Sequence, residues 1–427
     1  MVEHSRAFEK EVSERPEFFF PLIEKIIIEK KVDTYYMVQG INGLIKANYN
    51  VAKTYSVYLS LLNYQLDTDE HIIYSIWNSD YFIKNNYLTK VLITFLVSQA
   101  LYGKDDVKDD EQNPLQRAIN TIRGAAIDRL ARIDDIRFEK QIFDTLNKII
   151  EDENVYYLKA TIAIHCAYLL NINPDKAFDL FVKLNKLDER LIKESMWSAD
   201  YFANQYFDQM GFFFETAIKR KDLADKNKSL AIILAKGWLN NKVDSEKYLF
   251  ALLRKSNKAK AAIIDVAIHP KNIFKDNGLD TKCVQLFNLY LNNTDKEIVF
   301  AYSRIFLRTE PKDFESLFSL LKKYSKSKVF KISPAYFCQY IMKCSKQNTY
   351  KCSELISDFD KLMPTDISRS THYDSEPIQV ILSLYNTLGG SQQDNIIKEK
   401  CMNMFDKMLQ IPHLRNAANK AIELVDK

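Results

Sequence analysis

Apolar side chains recur at steps of three and four along almost the whole of this 427-residue chain. That spacing lines one face of a helix, whereas a half-buried strand needs strict alternation. Segments at 139–150, 154–170, 174–186 and 189–202 follow one another, divided by the polar breaks "DDI", "EDEN", "NINPD" and "KLDE". Similar units lie at 244–255, 312–324 and 393–409. The breaks carry helix-start residues, as at Asn173-Pro174, which sets an Asn cap ahead of a Pro at the first helical position. Only 9 Gly and 10 Pro occur, too few for many strands and tight turns.

Hydrophobic residues make up 47% of the chain and charged residues 27%, enough to bury a large core. Helix pairs at a pitch of about 35–45 residues mark a helical-repeat array. The fold expected is therefore all-α: a HEAT/armadillo-like α-solenoid of stacked antiparallel helix pairs. Two polar stretches, "GKDDVKDDEQNP" (Gly103–Pro114) and "PTDISRSTHYDSEP" (Pro364–Pro377), interrupt it. They divide the chain into an N-terminal helical part (1–103), a central array (112–363) and closing helices (376–427), which one superhelix could contain. "WNSDYF" (Trp77–Phe82) and "WSADYF" (Trp197–Phe202) match at four of six positions, as a relic of duplication or a coincidence.

The stretch "INTIRGAAIDRLARI" (Ile119–Ile133) carries a Gly at its centre. In a helix interior Gly costs about 1 kcal/mol against Ala. Read as one helix, 115–133 puts Leu115, Ile119, Ile122, Ala126, Leu130 and Ile133 on one stripe. Gly124 falls nearly opposite, beside Asn120, Thr121, Ala125 and Ala131. A helix with one apolar and one small face is packed on both sides, and Gly124 then admits a neighbouring backbone. Asn120 and Arg123, between the faces, are expected to hydrogen-bond the loop of the adjoining repeat.

"NPLQRAINTIRGAAIDRLARI", followed by "LKATIAIHCAYLLNINPDKAFDLFVKLNKLDERL", resembles the helical C-terminal region of large bacterial STAND-type P-loop NTPases associated with anti-phage defence. There an Asn-x-x-Arg-Gly segment, here Asn120, Arg123 and Gly124, opens a HEAT-like array. "KEKCMNMFDKMLQIPHLRNAANKAIELVDK" (Lys398–Lys427) resembles the helix pair that closes it. The resemblance implies an arm that senses or binds a partner and controls an attached NTPase. No G-x-x-x-x-G-K-[ST] loop occurs, so nucleotide binding is not carried over, and the chain is expected to be the arm alone.

Catalytic signatures are missing. The six His form no HExxH and no His-Asp pair in sequence, and His165, in "IAIHCAYLL", reads as a hydrogen-bonded core histidine. There is no G-x-S-x-G elbow and no Cys-x-x-Cys pair. Cys338, Cys344 and Cys352 lack zinc-ribbon spacing, so no metal and no cofactor are expected. The aromatic runs "FFFP" (Phe18–Pro21) and "GFFFE" (Gly211–Glu215) read as core and inter-helix packing. A charged N-terminus is no secretory signal, and "VLITFLVSQAL" (Val91–Leu101) is too short to span a bilayer. The expectation is a cytoplasmic protein with reduced thiols and no membrane contact.

Net charge is only +4, but it is unevenly spread. Between Ala217 and Lys260 twelve Lys or Arg face four acids, an excess of eight. Lys219, Arg220, Lys221, Lys226, Lys228, Lys236, Arg254, Lys255 and Lys258 are candidates for a strip that meets an acidic protein or a phosphate backbone. A solvated Lys-rich outer face is the plainer alternative, and the preference for Lys over Arg argues against bidentate phosphate recognition. The leading expectation is a non-catalytic interaction or sensor module whose partner is a protein, either a phage protein or the associated NTPase. A HEAT-like nucleic-acid-binding protein or DNA-glycosylase-like enzyme, with Trp238 near the base, is one rival, although burial suits Trp238 better. An assembly scaffold is the other.

Overall fold

The computed structural model describes residues 2–29, 33–63, 69–104, 113–224, 226–275, 278–357, 359, 376–410 and 415. Among these are 25 α-helices and one two-stranded ribbon, Phe274–Lys275 with Gly278–Leu279, so the chain is all-α. It forms two compact units, Met1–Tyr206 and Phe207–Lys427.

The first unit holds α1 (Val2–Glu14), α2 (Pro16–Glu29), α3 (Thr34–Lys46), α4 (Val51–Leu62), α5 (Asp69–Lys84) and α6 (Lys90–Tyr102). It continues with α7 (Pro114–Ile119), α8 (Ile122–Leu130), α9 (Glu139–Asp152), α10 (Tyr156–His165), α11 (Pro174–Leu187) and α12 (Met196–Tyr206). Packing runs in two rows. In one, α3 lies on α5, α5 on α8, α8 on α10 and α10 on α12; in the other, α4 lies on α6, α6 on α9 and α9 on α11.

The second unit holds α13 (Gly211–Lys219), α14 (Asn227–Leu239), α15 (Ser245–Leu253), α16 (Asn257–Ala267), α17 (Pro270–Ile273), α18 (Thr281–Asn288) and α19 (Lys296–Ile305). After these come α20 (Phe314–Ser325), α21 (Lys328–Ile332), α22 (Ala335–Ser345), α23 (Thr349–Leu355), α24 (Glu376–Thr387) and α25 (Gln392–Leu409). Here α14, α16, α19, α22 and α24 form a row in which each packs on the next.

Side chains tie neighbouring helices of these rows together at a regular distance along the chain. Asn78 donates to Asn42, Asn173 to Glu139 and Ser198 to Ala163, at 2.7, 2.9 and 2.9 Å. In the second unit Asn257 donates to Asp295 at 2.8 Å and Gln339 to Glu376 at 3.4 Å, and outside that row Tyr350 of α23 donates to Asp394 of α25 at 3.0 Å. These partners stand 34 to 44 residues apart, close to the pitch expected from the polar breaks. The predicted cap at Asn173 is present: its Oδ1 accepts from Lys176 N at 3.1 Å, with Pro174 next in line.

The structure corrects two readings of local structure. The helix expected over 115–133 is two, because Thr121 leaves the helical region (φ −122°, ψ 153°) and its Oγ1 caps α8 by accepting from Gly124 N at 3.2 Å. The phase of the stripe is broken there, and Leu115 is exposed. Across the polar stretch near residue 103, α5 and α6 both pack on α8, as one continuous array would have it, and the first compact unit runs to Tyr206. Finally, "FFFP" is not all core: Phe18 is 73% exposed, with Arg15 over its ring, whereas Phe213 and Phe214 of "GFFFE" are fully buried. Residues 105–112 of the first polar stretch, 364–375 of the second, and most of the closing segment beyond Gln410 lie outside the described residues.

Candidate functional site

The densest cluster of polar chemistry in the first unit grows from α8. This helix touches α5, α6, α7 and α10, and Ile122, Gly124, Ala125, Ala126, Ile127, Asp128 and Leu130 are all buried. It is packed on both sides, as its small opposite face predicts. The backbone that approaches Gly124 is that of the preceding helix: a Cβ there would lie 2.5 Å from Ala118 Cα and closer still to Ala118 O. Arg123 reaches two neighbours, donating from Nε to Ala100 O at 3.1 Å and from Nη1 to Glu153. It thereby holds the last turn of α6 and the end of α9 against α8. Asn120 does not do this; it is exposed and its Nδ2 donates to Gln116 O, within α7, at 2.8 Å.

One turn further along α8, the Asp128 side chain is only 3% exposed and is surrounded by two arginines and a histidine. Arg129 Nη1 lies 3.1 Å from its Oδ2, Arg132 Nη2 pairs with the same oxygen, and His165 Nε2, at the end of α10, lies 2.9 Å from Oδ1. Arg129 also faces Asp80 of α5 at 3.7 Å. Burial alone would raise the Asp128 pKa. Contact with the His165 imidazole and the Arg132 guanidinium outweighs that and holds the carboxyl below its ordinary value. Burial in turn lowers the Arg129 pKa, against the pull of Asp128 and Asp80. The cluster bolts three helices of one row, α5, α8 and α10, together with charge-assisted contacts.

An aromatic ladder begins beside this cluster. His165 faces Tyr168 at 5.9 Å between ring centroids, Tyr168 faces Trp197 at 5.1 Å, and Trp197 faces Tyr201 at 4.6 Å. Ser198 fixes α12 against the end of α10, its Oγ lying 2.9 and 2.8 Å from the carbonyl oxygens of Ala163 and Ile164. Tyr168, Trp197 and Tyr201 are 39%, 41% and 47% exposed, so the ladder lies open to solvent above a rigid base.

An Asp–His pair invites comparison with acid–base catalysis, but a nucleophile is needed beside it. The neighbouring thiol, Cys166, is fully buried, donates to Ala163 O at 3.4 Å, and has its pKa pushed up to about 12 by that burial. The arrangement suits structural anchoring. All six cysteines are buried and free, and among the described residues no group of three or more His, Cys, Asp or Glu is placed to hold a metal ion.

In the second unit the structure divides the basic strip. Lys255 Nζ donates to Ile218 O at 3.3 Å, which brings Arg254 and Lys255 to the same end as Lys219, Arg220 and Lys221. Arg220 is engaged by Asp222. Lys228 and Lys258 instead line a groove formed by α14, α16 and α19. Lys226 is half-buried just ahead of α14, and Lys236 is exposed in its last turn. Trp238 is 5% exposed, and Lys282 lies over its ring at 4.9 Å, so no free stacking face stands there.

The Asp128–His165 pair and the aromatic ladder were missed by sequence reasoning. The one signal was "WSADYF", whose Trp197 and Tyr201 form the ladder, while the matching "WNSDYF" supplies Asp80 to the charged cluster. Compared with known proteins, the chain matches no family model, no curated protein and no solved structure. No helix among the described residues is long and apolar enough to cross a membrane.

Proposed function

We propose that the chain is a non-catalytic interaction or sensor module, a HEAT-like α-solenoid that binds a macromolecular partner through the exposed face of its helix rows. The carrying observation is the open ladder Tyr168–Trp197–Tyr201. Tyr and Trp supply large contact area at small entropic cost and dominate the energetic centres of protein interfaces. The ladder needs little ordering on binding, because its rings already support one another above a base fixed by Asp128 and Ser198. Rows of helices tied at a pitch of 34 to 44 residues support the repeat-array part of the reading.

The resemblance to the arm of bacterial anti-phage NTPases directs the choice of partner: a phage protein or the NTPase itself. Gel filtration with candidate phage proteins and with such an NTPase is the test. Co-elution with one of them is expected, and uniform failure to bind contradicts the reading. The nucleic-acid alternative gains no comparable observation, given that Trp238 is covered. A scaffold role would use the same ladder with the NTPase as sole partner.

A further inference from the structure

We propose that the groove between α14, α16 and α19 is a docking site for an acidic peptide segment of a partner protein, seated with one apolar side chain against Phe300. The proposal extends the interaction-module reading to a second surface and a stated partner chemistry, and it does not depend on the aromatic ladder.

The groove has a volume of about 400 Å³. Ala261, Ala262 and Ala301 line it, and such small side chains let a peptide backbone come close. Phe300 stands at its side, 55% exposed. Lys228 and Lys258 also line it, and neither meets a carboxylate among the described residues. The Arg304 guanidinium lies over the Phe300 ring at 4.9 Å. Its Nη2 donates to Asp265 at 3.4 Å.

Two carboxylates, Asp265 and Glu297, share the groove with these cations. Asp265 is already committed to Arg304. Glu297 would repel the continuous charge of a phosphate backbone, whereas a peptide can place its acids at Lys228 and Lys258 and an uncharged residue elsewhere. The apolar wall at Phe300 favours the same choice, because it rewards a Leu or Phe side chain.

The test is fluorescence polarisation of the whole chain with a labelled peptide of repeated Glu-Glu-Leu, alongside Glu-Glu-Ser and Lys-Lys-Leu peptides. Saturable binding of Glu-Glu-Leu is expected, weaker for Glu-Glu-Ser and absent for Lys-Lys-Leu. Lys228→Glu with Lys258→Glu should weaken it roughly tenfold or more, since like-charge juxtaposition opposes binding. Phe300→Ala should remove the preference for Leu over Ser. Both sites are exposed, and unchanged far-UV circular dichroism and melting will show that the variants fold. Absence of saturable binding overturns the proposal. So does an equal loss on Lys219→Glu with Lys221→Glu, which would mean diffuse attraction, or displacement of the peptide by a single-stranded oligonucleotide at lower concentration. Failure here leaves the gel-filtration result at the ladder untouched, so the two readings fail separately.

Discussion

Gly124→Val is expected to destabilise the first unit by about 3 kcal/mol or more, at the upper end of what overpacking costs. The reason is that the atoms in the way are backbone. A Cβ at Gly124 would lie 2.5 Å from Ala118 Cα, nearer still to Ala118 O, and 2.6 Å from Thr121 Oγ1. A side-chain neighbour could rotate aside, but here α7 must move off α8 or the Thr121 cap must break. Either change also disturbs Arg123, which ties α8 to Ala100 and Glu153. Urea denaturation followed by circular dichroism measures the loss. A midpoint unchanged from the parent chain would mean that α7 and α8 do not meet as described.

Asp128→Asn should cost a similar amount, about 3 kcal/mol, because removing one partner of a buried charge cluster strands the others. Arg129 and His165 are 14% and 11% exposed at the side chain; His165 loses its carboxylate and Arg129 is left with Asp80 alone, at 3.7 Å. The effect has a pH signature. Asp128 has a folded pKa below its unfolded value, so its stabilisation is complete above the ordinary carboxyl range and is lost as pH falls through the lower folded value. Near neutral pH the variant should melt well below the parent. As pH falls below the ordinary carboxyl range the gap should narrow, because the parent carboxyl is then protonated too. A gap that stays constant through the acid range would contradict a charged role for Asp128.

The local signals in the sequence were of uneven strength. Asn173-Pro174 announced a helix start because both residues act on their own backbone, and the cap formed as read. The break inside 115–133 escaped because the apolar stripe across Ile119 and Ile122 keeps step by coincidence, while Thr121 at the cap is an equally local cue with the opposite meaning. Gly124 is a site of close approach, and the approaching backbone is that of Ala118 in the preceding helix α7. Asp128 and His165 stand 37 positions apart, and no local pattern pairs them; only the repeat pitch, applied residue by residue, brings the end of α8 to the end of α10. The ladder was hidden for a different reason. Aromatic residues are legible in sequence, but exposure of Trp197 beside a buried Ser198 and Ala199 depends on which face of α12 meets α10. The basic strip looked continuous in sequence, yet folding sends part of it to the ends of α13 and α15 and part to the α14–α16 groove.

The proposed role of the open ladder in partner binding is read out by calorimetric titration of a partner found by gel filtration into the parent chain and into Trp197→Ala. Trp197 is 41% exposed, so its removal should leave the melting temperature nearly unchanged. A loss of roughly 2 kcal/mol in binding, or about thirtyfold in affinity, is expected, as for a central aromatic anchor. Equal affinity for the two chains would contradict it and move the binding surface elsewhere on the molecule.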